Sequence, residues 1–126
     1  MGKYRVLYDG VKPVPAKYEI SAAEILAEYF CGDIRMINRR KNAKIADLKI
    51  GNVFWELKSP TGDGKRTMQN NLRKADDQSS RVVIDLRRCK MHEARAVSRL
   101  KHELEKANSI KRLLVITKKG KVLEIK

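Results

Sequence analysis

Apolar residues change their spacing along this chain, and the spacing predicts both helices and strands. Between Ser21 and Gly32 they recur every three to four positions, which predicts a helix, with Ser21 and Glu24 forming a capping box at its start. Three short strands are predicted at 34–37, 46–50 and 53–58, and Gly51-Asn52 provides a two-residue turn between the last two. The first half of the chain is therefore predicted to contain a helix followed by strands that include a hairpin.

The second half of the chain alternates helices with buried strands. A polar helix is predicted at 67–79, a continuously apolar strand at 81–86, an amphipathic helix at 92–107, and strands at 112–117 and 121–125. Residues 1–17, with Gly10, Pro13 and Pro15, are predicted to form an N-terminal arm, and residues 18–126 a single domain. The predicted fold class is α/β, a mixed β-sheet flanked by helices in the order αβββαβαββ.

The predicted hairpin brings charged side chains together. A two-residue turn places Asp47 opposite Glu56 on the neighbouring strand. Because side chains alternate along a strand, Glu56 and Lys58 share one face of the sheet, and Trp55 and Leu57 lie on the other. Two carboxylates and an ammonium group therefore converge on one surface.

This charged group has a catalytic and a bland interpretation. Two facing carboxylates repel unless a cation lies between them, and oxygen ligands suit Mg²⁺ or Mn²⁺. Lys58 can hold an attacking water or neutralise charge on a phosphate, which is the chemistry of a metal-dependent phosphodiesterase. Alternatively, Asp47, Glu56 and Lys58 are solvated strand residues, and Glu56 and Lys58 form a surface ion pair of little energetic consequence. The spacing alone leaves both interpretations open.

The charge of the chain points to a polyanionic partner. Lys and Arg number 29 against 15 Asp and Glu, which gives a net charge of +14 and a pI near 10.0 and favours nucleic acid. No run of 18 apolar residues and no apolar signal-peptide core is present, so a membrane partner is not expected. Phosphate contacts are expected from a basic loop of residues Arg39, Arg40, Lys41 and Lys44.

The Asp47 and Glu56-Leu57-Lys58 pattern, in this order of elements, resembles the PD-(D/E)xK nuclease superfamily. The residue before the first carboxylate, proline in that motif, is Ala46 here. The resemblance implies a restriction-endonuclease-like core with the site on the second and third strands. It also implies a Mg²⁺- or Mn²⁺-dependent nuclease in which Asp47 and Glu56 bind the metal and Lys58 positions the water.

A narrower resemblance is to the C-terminal tRNA nuclease domains of CdiA-type contact-dependent inhibition toxins and related phage and mobile-element proteins. It covers roughly two thirds of the chain, including the helix at 22–27, Ala46-Asp47, the strand 55–60 and the segments 64–78 and 82–86. It implies cleavage of structured RNA, preferably tRNA, and a possible cognate immunity protein. It further implies action in a cytoplasm after delivery as part of a larger secreted or phage protein.

The same resemblance implies further site residues. Glu24 corresponds to an acidic residue of the first helix that assists metal binding, with Glu28 as its substitute if Glu24 is only a cap. Gln78 corresponds to a glutamine that orients a phosphate or a water. Apart from the resemblance, the polar segment 65–78 offers donors to nucleic acid at Lys65 and Thr67, and Arg73 and Lys74 extend the basic surface. The alternative for each of these side chains is an ordinary solvated residue.

Two other functions remain open from the sequence. A DNA endonuclease of the same superfamily has the same residues that cut either polymer. A noncatalytic nucleic-acid-binding module of a phage or mobile-element protein fits the charge equally well. Digestion of tRNA and duplex DNA side by side with added metal separates the DNA endonuclease from an RNA nuclease. Loss of metal-dependent cleavage on replacing Asp47 separates an enzyme from the noncatalytic module.

Overall fold

The computed structural model describes residues 3–38 and 46–126. The elements in chain order are β1 (Val6–Leu7), α1 (Lys17–Phe30), β2 (Ile34–Met36), β3 (Leu48–Ile50), β4 (Val53–Lys58), α2 (Thr67–Asp76), β5 (Arg81–Asp85), α3 (Glu93–Leu104), β6 (Arg112–Ile116) and β7 (Val122–Glu124). The α/β class is confirmed. The predicted order is also found, preceded by one short strand that the sequence pattern did not reveal.

Within the described residues the strands form one seven-stranded sheet, and their spatial order equals their order in the chain. Strands β4, β5 and β6 are parallel, because α2 and α3 return the chain to the same end of the sheet. The pairs β2–β3, β3–β4 and β6–β7 are antiparallel, and β1 pairs with β2 in parallel. The apolar β5 lies in the interior of the sheet, as its sequence predicts.

Helices cover both faces of the sheet. On the α1 face, Ala22, Ala23 and Leu26 pack in one core cluster with strand residues that include Trp55 and Leu57. On the α2/α3 face, helix residues pack against a second set of strand side chains. They are Met68, Leu72 and Ala75 of α2, Ala96 and Leu100 of α3, and Val82, Ile84, Leu113 and Val115 of the strands. Trp55 is therefore a core residue, and the side chains that alternate with it point to the α2/α3 face.

The hairpin has the predicted register. Leu48 pairs with Trp55 and Ile50 with Val53, which leaves Gly51 and the following residue as the turn. Gly51 has a φ of 58°, a left-handed conformation that glycine adopts without the steric cost of a Cβ atom. Continuing this register by one residue places Asp47, immediately before β3, beside Glu56.

The start of α1 differs from the prediction. The helix begins at Lys17, one turn before Ser21, and the Glu19 side chain accepts the backbone N–H of Ala16 at 2.9 Å. The predicted capping pair of Ser21 and Glu24 is therefore wrong. Ala16, the residue before the helix, has no side-chain group to signal a cap.

The N-terminal arm is partly incorporated into the sheet. Val6 and Leu7 pair with Ile34 and Arg35 of β2, and Tyr4 packs against the core on the α1 face. Residues before Lys17 therefore contribute to the edge of the same core. No helix in the described parts of the chain is long and apolar enough to cross a membrane.

Candidate active site

Asp47 and Glu56 are charged residues that the fold buries side by side. Asp47 is 8% exposed, and its Oδ2 accepts the backbone N–H of Leu57 at 2.9 Å. This bond replaces the strand pairing that ends at Leu48. Glu56, on the interior strand β4, is 1% exposed. The hairpin register thus holds one carboxylate at the end of its strand and the other within the sheet.

The surroundings of Glu56 raise its pKa and leave one of its oxygens without a hydrogen bond among the described residues. Burial, and then the Asp47 carboxylate, raise its pKa to about 7, while the adjacent Lys58 opposes the rise. Lys58 Nζ lies 3.0 Å from Glu56 Oε2. Among the described residues, Glu56 Oε1 has no hydrogen-bond partner although it is buried. A proton or a cation between the carboxylates would reduce their repulsion and would give Oε1 a partner.

Lys58 places this site at the end of the sheet where the parallel strands have their carboxyl ends, which is called the carboxyl edge below. It ends β4, and its side chain is 22% exposed, so the ammonium group reaches from the buried pair to solvent. Carboxyl ends of parallel strands are the edge where α/β proteins usually bind ligands. Asp47 reaches the same edge because its strand runs antiparallel to β4.

The donors at this edge fit a hard divalent cation. Mg²⁺ is commonly held by one or two carboxylates, with waters and substrate phosphates completing its shell. Asp47 and Glu56 supply two such groups, and the unpartnered Oε1 is an oxygen ligand of the required kind. No cluster of three His, Cys, Asp or Glu residues suited to a metal occurs in the part of the chain that the structure describes.

The predicted trio of Asp47, Glu56 and Glu24 is therefore not assembled. Glu24 is exposed on α1, because the helix turns its alanine-rich side to the sheet. Glu28, its predicted substitute, is exposed as well. The acidic residue of α1 that approaches the site is Glu19, which with Asp47 lines a cavity of about 30 Å³. Glu19 at the third helical position is the sequence signal for this earlier start, because a glutamate there can accept the backbone N–H of the residue before the helix.

Gln78 is also separated from the carboxylate pair along the sheet. It follows α2 and precedes β5, and the next residue, Ser79, donates its hydroxyl to the carbonyl of Phe54. Glu56 pairs with Val82, further along the parallel strands. Gln78 therefore lies beside the start of β4 and β5, whereas Lys58 lies at the end of β4.

The predicted nucleic-acid-binding residues fall into three groups. Arg39, Arg40, Lys41 and Lys44 lie outside the described residues. Lys65 and Thr67 lie in the segment that directly follows Lys58 and leads into α2, with Lys65 exposed. Arg73 and Lys74 are exposed in the last turn of α2, and Arg73 lines a groove between α2 and α3. Of the described members, Lys65 and Thr67 are therefore closest in sequence to Lys58.

A second buried acidic group was not expected from the sequence. Asp85, at the end of β5, is fully buried. Its carboxylate accepts hydrogen bonds from Nε and one terminal nitrogen of Arg87 at 2.9–3.2 Å. Arg87 also donates to Ser21 Oγ at 2.7 Å and to the Tyr18 carbonyl at 3.1 Å. This network fastens the first turns of α1 to the sheet. An acidic residue ending a continuously apolar run is the signal that indicates Asp85.

Comparisons with known proteins agree with this architecture. A family model described as the contact-dependent growth inhibition CdiA C-terminal domain matches residues 44–122, more than half of the chain. A similar solved structure is the CdiA-CT/CdiI toxin and immunity complex from Burkholderia pseudomallei, with a TM-score of 0.65 and 16% identity over 97% of this chain and 98% of that chain. At this identity the likeness shows a shared fold. No curated protein matches the chain.

Proposed function

The chain belongs to the CdiA C-terminal domain family of contact-dependent growth inhibition, and from this premise we propose that it is a toxic, metal-dependent nuclease of RNA. The observation that carries the proposal is the pair of adjacent buried carboxylates with a lysine at the carboxyl edge of the sheet. Asp47 and Glu56 hold Mg²⁺ or Mn²⁺, and Lys58 completes the reacting group. The PD-(D/E)xK resemblance supports the same assignment, since Asp47 and Glu56-Leu57-Lys58 match its motif.

Each residue of this group has a role that follows from its position. Asp47, fixed by the Leu57 N–H, and Glu56, fixed within β4, present oxygen ligands at the carboxyl edge of the sheet. When bound, the ion supplies Lewis acidity and lowers the pKa of a water. Lys58, partly exposed, orients the water or neutralises the negative charge that develops on the scissile phosphate. Glu19 lines one cavity with Asp47 and is an additional carboxylate near the pair.

Structured RNA, and tRNA in particular, is the proposed substrate class. The net charge of +14 provides attraction to a phosphate backbone without choosing the polymer. The preference for tRNA rests on the resemblance of the hairpin and of the segments around it to CdiA-type tRNA nuclease domains. DNA cleavage, and binding without cleavage, are the outcomes that would replace this proposal.

Delivery and neutralisation follow from the proposed toxin role. We propose that the domain is carried as the C-terminal part of a larger secreted protein and acts in the cytoplasm of the target cell. A cognate immunity protein is also proposed, because the similar Burkholderia pseudomallei chain is the toxin of a toxin and immunity complex. The basic surface of this chain favours an acidic partner.

The proposal is tested by incubating the purified chain with total tRNA and with duplex DNA, in Mg²⁺ and in EDTA. We expect Mg²⁺-dependent shortening of tRNA, and a loss of about 10³-fold or more in rate with Asp47→Asn, since one of two metal-binding carboxylates is removed. The matched control is Glu105→Gln, which removes an exposed carboxylate after α3. Undiminished cleavage by Asp47→Asn, or cleavage in EDTA, would disprove the site assignment, and cleavage of DNA alone would disprove the RNA preference.

A further inference from the structure

One part of the sheet carries exposed basic and aromatic side chains on the same face as the candidate active site. The core beneath α2 and α3 includes strand residues of β5 and β6 and, among the described residues, none of β1 to β3. On β2 and β3 the buried residues Ile34, Met36 and Leu48 belong to the α1 face. The side chains that alternate with them point away from α1, to a surface that this core does not reach.

Three of these side chains form a continuous row across the strands. Arg35 of β2 pairs with Lys49 of β3, and Lys49 pairs with Phe54 of β4. Arg35 is exposed, Phe54 is 47% exposed, and Lys49 Nζ lies 5.7 Å from the centre of the Phe54 ring. These residues are called the Arg35–Lys49–Phe54 row. Arg35 and Lys49 also line a shallow cavity of about 440 Å³ at the edge of the sheet.

Among the described residues, the two cations of this row form no ion pair, and Lys49 contacts the Phe54 ring by a cation–π interaction. The ion pairs found among the described residues involve Lys58, Arg87 and Arg112, and neither Arg35 nor Lys49 takes part in one. Asp33 lines the same cavity, but within the part of the chain that the structure describes it forms no ion pair with Arg35 or Lys49. Two such cations next to an exposed aromatic ring suit a ligand that has both a negative charge and a flat apolar surface. A nucleotide has both features, because its phosphate is anionic and its base stacks on aromatic rings.

The row lies beside the carboxylate pair. Phe54 and Glu56 are two residues apart on β4 and share the α2/α3 face, and Asp47, immediately before β3, is two residues from Lys49. Two residues along a strand span about 7 Å. A strand of nucleic acid whose phosphate sits at Asp47 and Glu56 therefore has its neighbouring nucleotide within reach of the row.

We propose that the Arg35–Lys49–Phe54 row is a binding subsite for an unpaired nucleotide adjacent to the scissile phosphate. The base of that nucleotide stacks on Phe54, and its phosphate contacts Arg35 and Lys49. This inference rests on the proposed nuclease function and adds the class of substrate. Within a duplex both faces of a base are occupied by its neighbours, so the subsite selects RNA that is single-stranded at the cleavage position.

The test measures binding separately from cleavage. A fluorescein-labelled single-stranded oligoribonucleotide and the same sequence in a duplex are titrated with the full chain carrying Asp47→Asn, which suppresses cleavage. In this background we expect Phe54→Ala to weaken single-strand binding about tenfold, the loss of one base stack, and Phe54→Trp to restore it. The dependence of log K on log salt is expected to stay the same in Phe54→Ala, because stacking releases no counterion.

Lys49→Gln and Arg35→Gln test the phosphate contact. Each is expected to weaken binding and to reduce the salt slope by about 0.7, the value for one phosphate contact on a single strand. Leu123→Ala and Lys119→Gln are matched controls, since they remove an exposed apolar and an exposed basic residue near β7. Thermal unfolding verifies that each variant is folded. Replacement of Arg35 or Phe54 is expected to leave the fold intact, because both side chains are exposed.

The outcomes distinguish the subsite from the reaction. Single-strand binding that is unchanged by Phe54→Ala, or weakened equally by the two controls, overturns the subsite. The subsite is also overturned if the chain binds the duplex as tightly as the single strand and the row variants weaken both equally. If the chain with native Asp47 cleaves no nucleic acid but the row variants lose affinity as described, the proposed reaction fails while the subsite is supported.

Discussion

Glu56 and Asp85 are buried carboxylates on adjacent strands, and their surroundings differ in one respect that matters for function. Both oxygens of Asp85 accept nitrogens of Arg87. Glu56 has one oxygen on Lys58 and a second carboxylate beside it, and its Oε1 has no partner among the described residues. Burial of charge therefore does not by itself indicate a reactive site. Asp85 serves the fold because its charge is satisfied, whereas Glu56 is left able to take up a proton or a cation.

The comparison is tested most strongly by removing Arg87. Arg87→Met leaves the Asp85 carboxylate buried without its cation, and we expect the free energy of unfolding to fall by about 3–5 kcal/mol. The measurement is urea unfolding at pH 7. Glu124→Gln is the matched control, because it breaks the exposed ion pair with Arg112 and should cost less than about 1 kcal/mol. Equal losses in the two variants would show that the Arg87 network does not stabilise the fold.

In contrast to Arg87→Met, Glu56→Gln is expected to raise the free energy of unfolding. The pKa of Glu56 rises from 4.5 to about 7 on folding, so its stabilising contribution is present at low pH and is lost as the pH rises through about 7. Without metal, Glu56→Gln should therefore be more stable than the parent at pH 8 by about 1–3 kcal/mol, and the difference should shrink toward pH 5.

The experiment is metal-free unfolding of both proteins across this pH range, with Glu105→Gln as the exposed control. If Glu56→Gln were less stable than the parent at pH 8 and equally so at pH 5, the strained carboxylate pair would be refuted. Catalysis should be lost in this variant even where stability is gained, which is the pattern of a functional site.

Metal binding is expected to give the smallest effect. At Mg²⁺ about tenfold above its Kd, the unfolding free energy should rise by about 1.4 kcal/mol, or several degrees in Tm. The shift should be larger at pH 8 than at pH 6, because Glu56 with a pKa of about 7 is mostly protonated at the lower pH and must lose its proton to bind. Asp47→Asn should abolish the shift, and Asp77→Asn, which alters an exposed carboxylate, should keep it. A shift independent of both pH and Asp47 would place the ion elsewhere.

Local patterns were sufficient to predict the hairpin that carries the candidate site. The Gly51-Asn52 turn and the alternation of β4 specify which residues of the hairpin face each other, since turn length and a period of two set the register. The start of α1 was less accessible, because Ala16 has no capping side chain and the more typical Ser21 and Glu24 lie a turn later. That shift moved the acidic residue near the site from Glu24 to Glu19. The placement of Gln78 depends on the parallel register of β4 and β5, which no local pattern reveals.

The α/β order, the hairpin and the convergence of Asp47, Glu56 and Lys58 could be predicted from the amino-acid pattern, because they depend on contacts between residues close in the chain. The environment of those charges could not, because it depends on how distant segments pack. Glu56 lies on an interior strand flanked by β3 and β5, Arg87 bonds to α1 residues 66 or more positions away, and the Arg35–Lys49–Phe54 row spans three strands. Desolvation and partner choice arise from packing between distant segments, so a carboxylate's role becomes visible only once those segments meet.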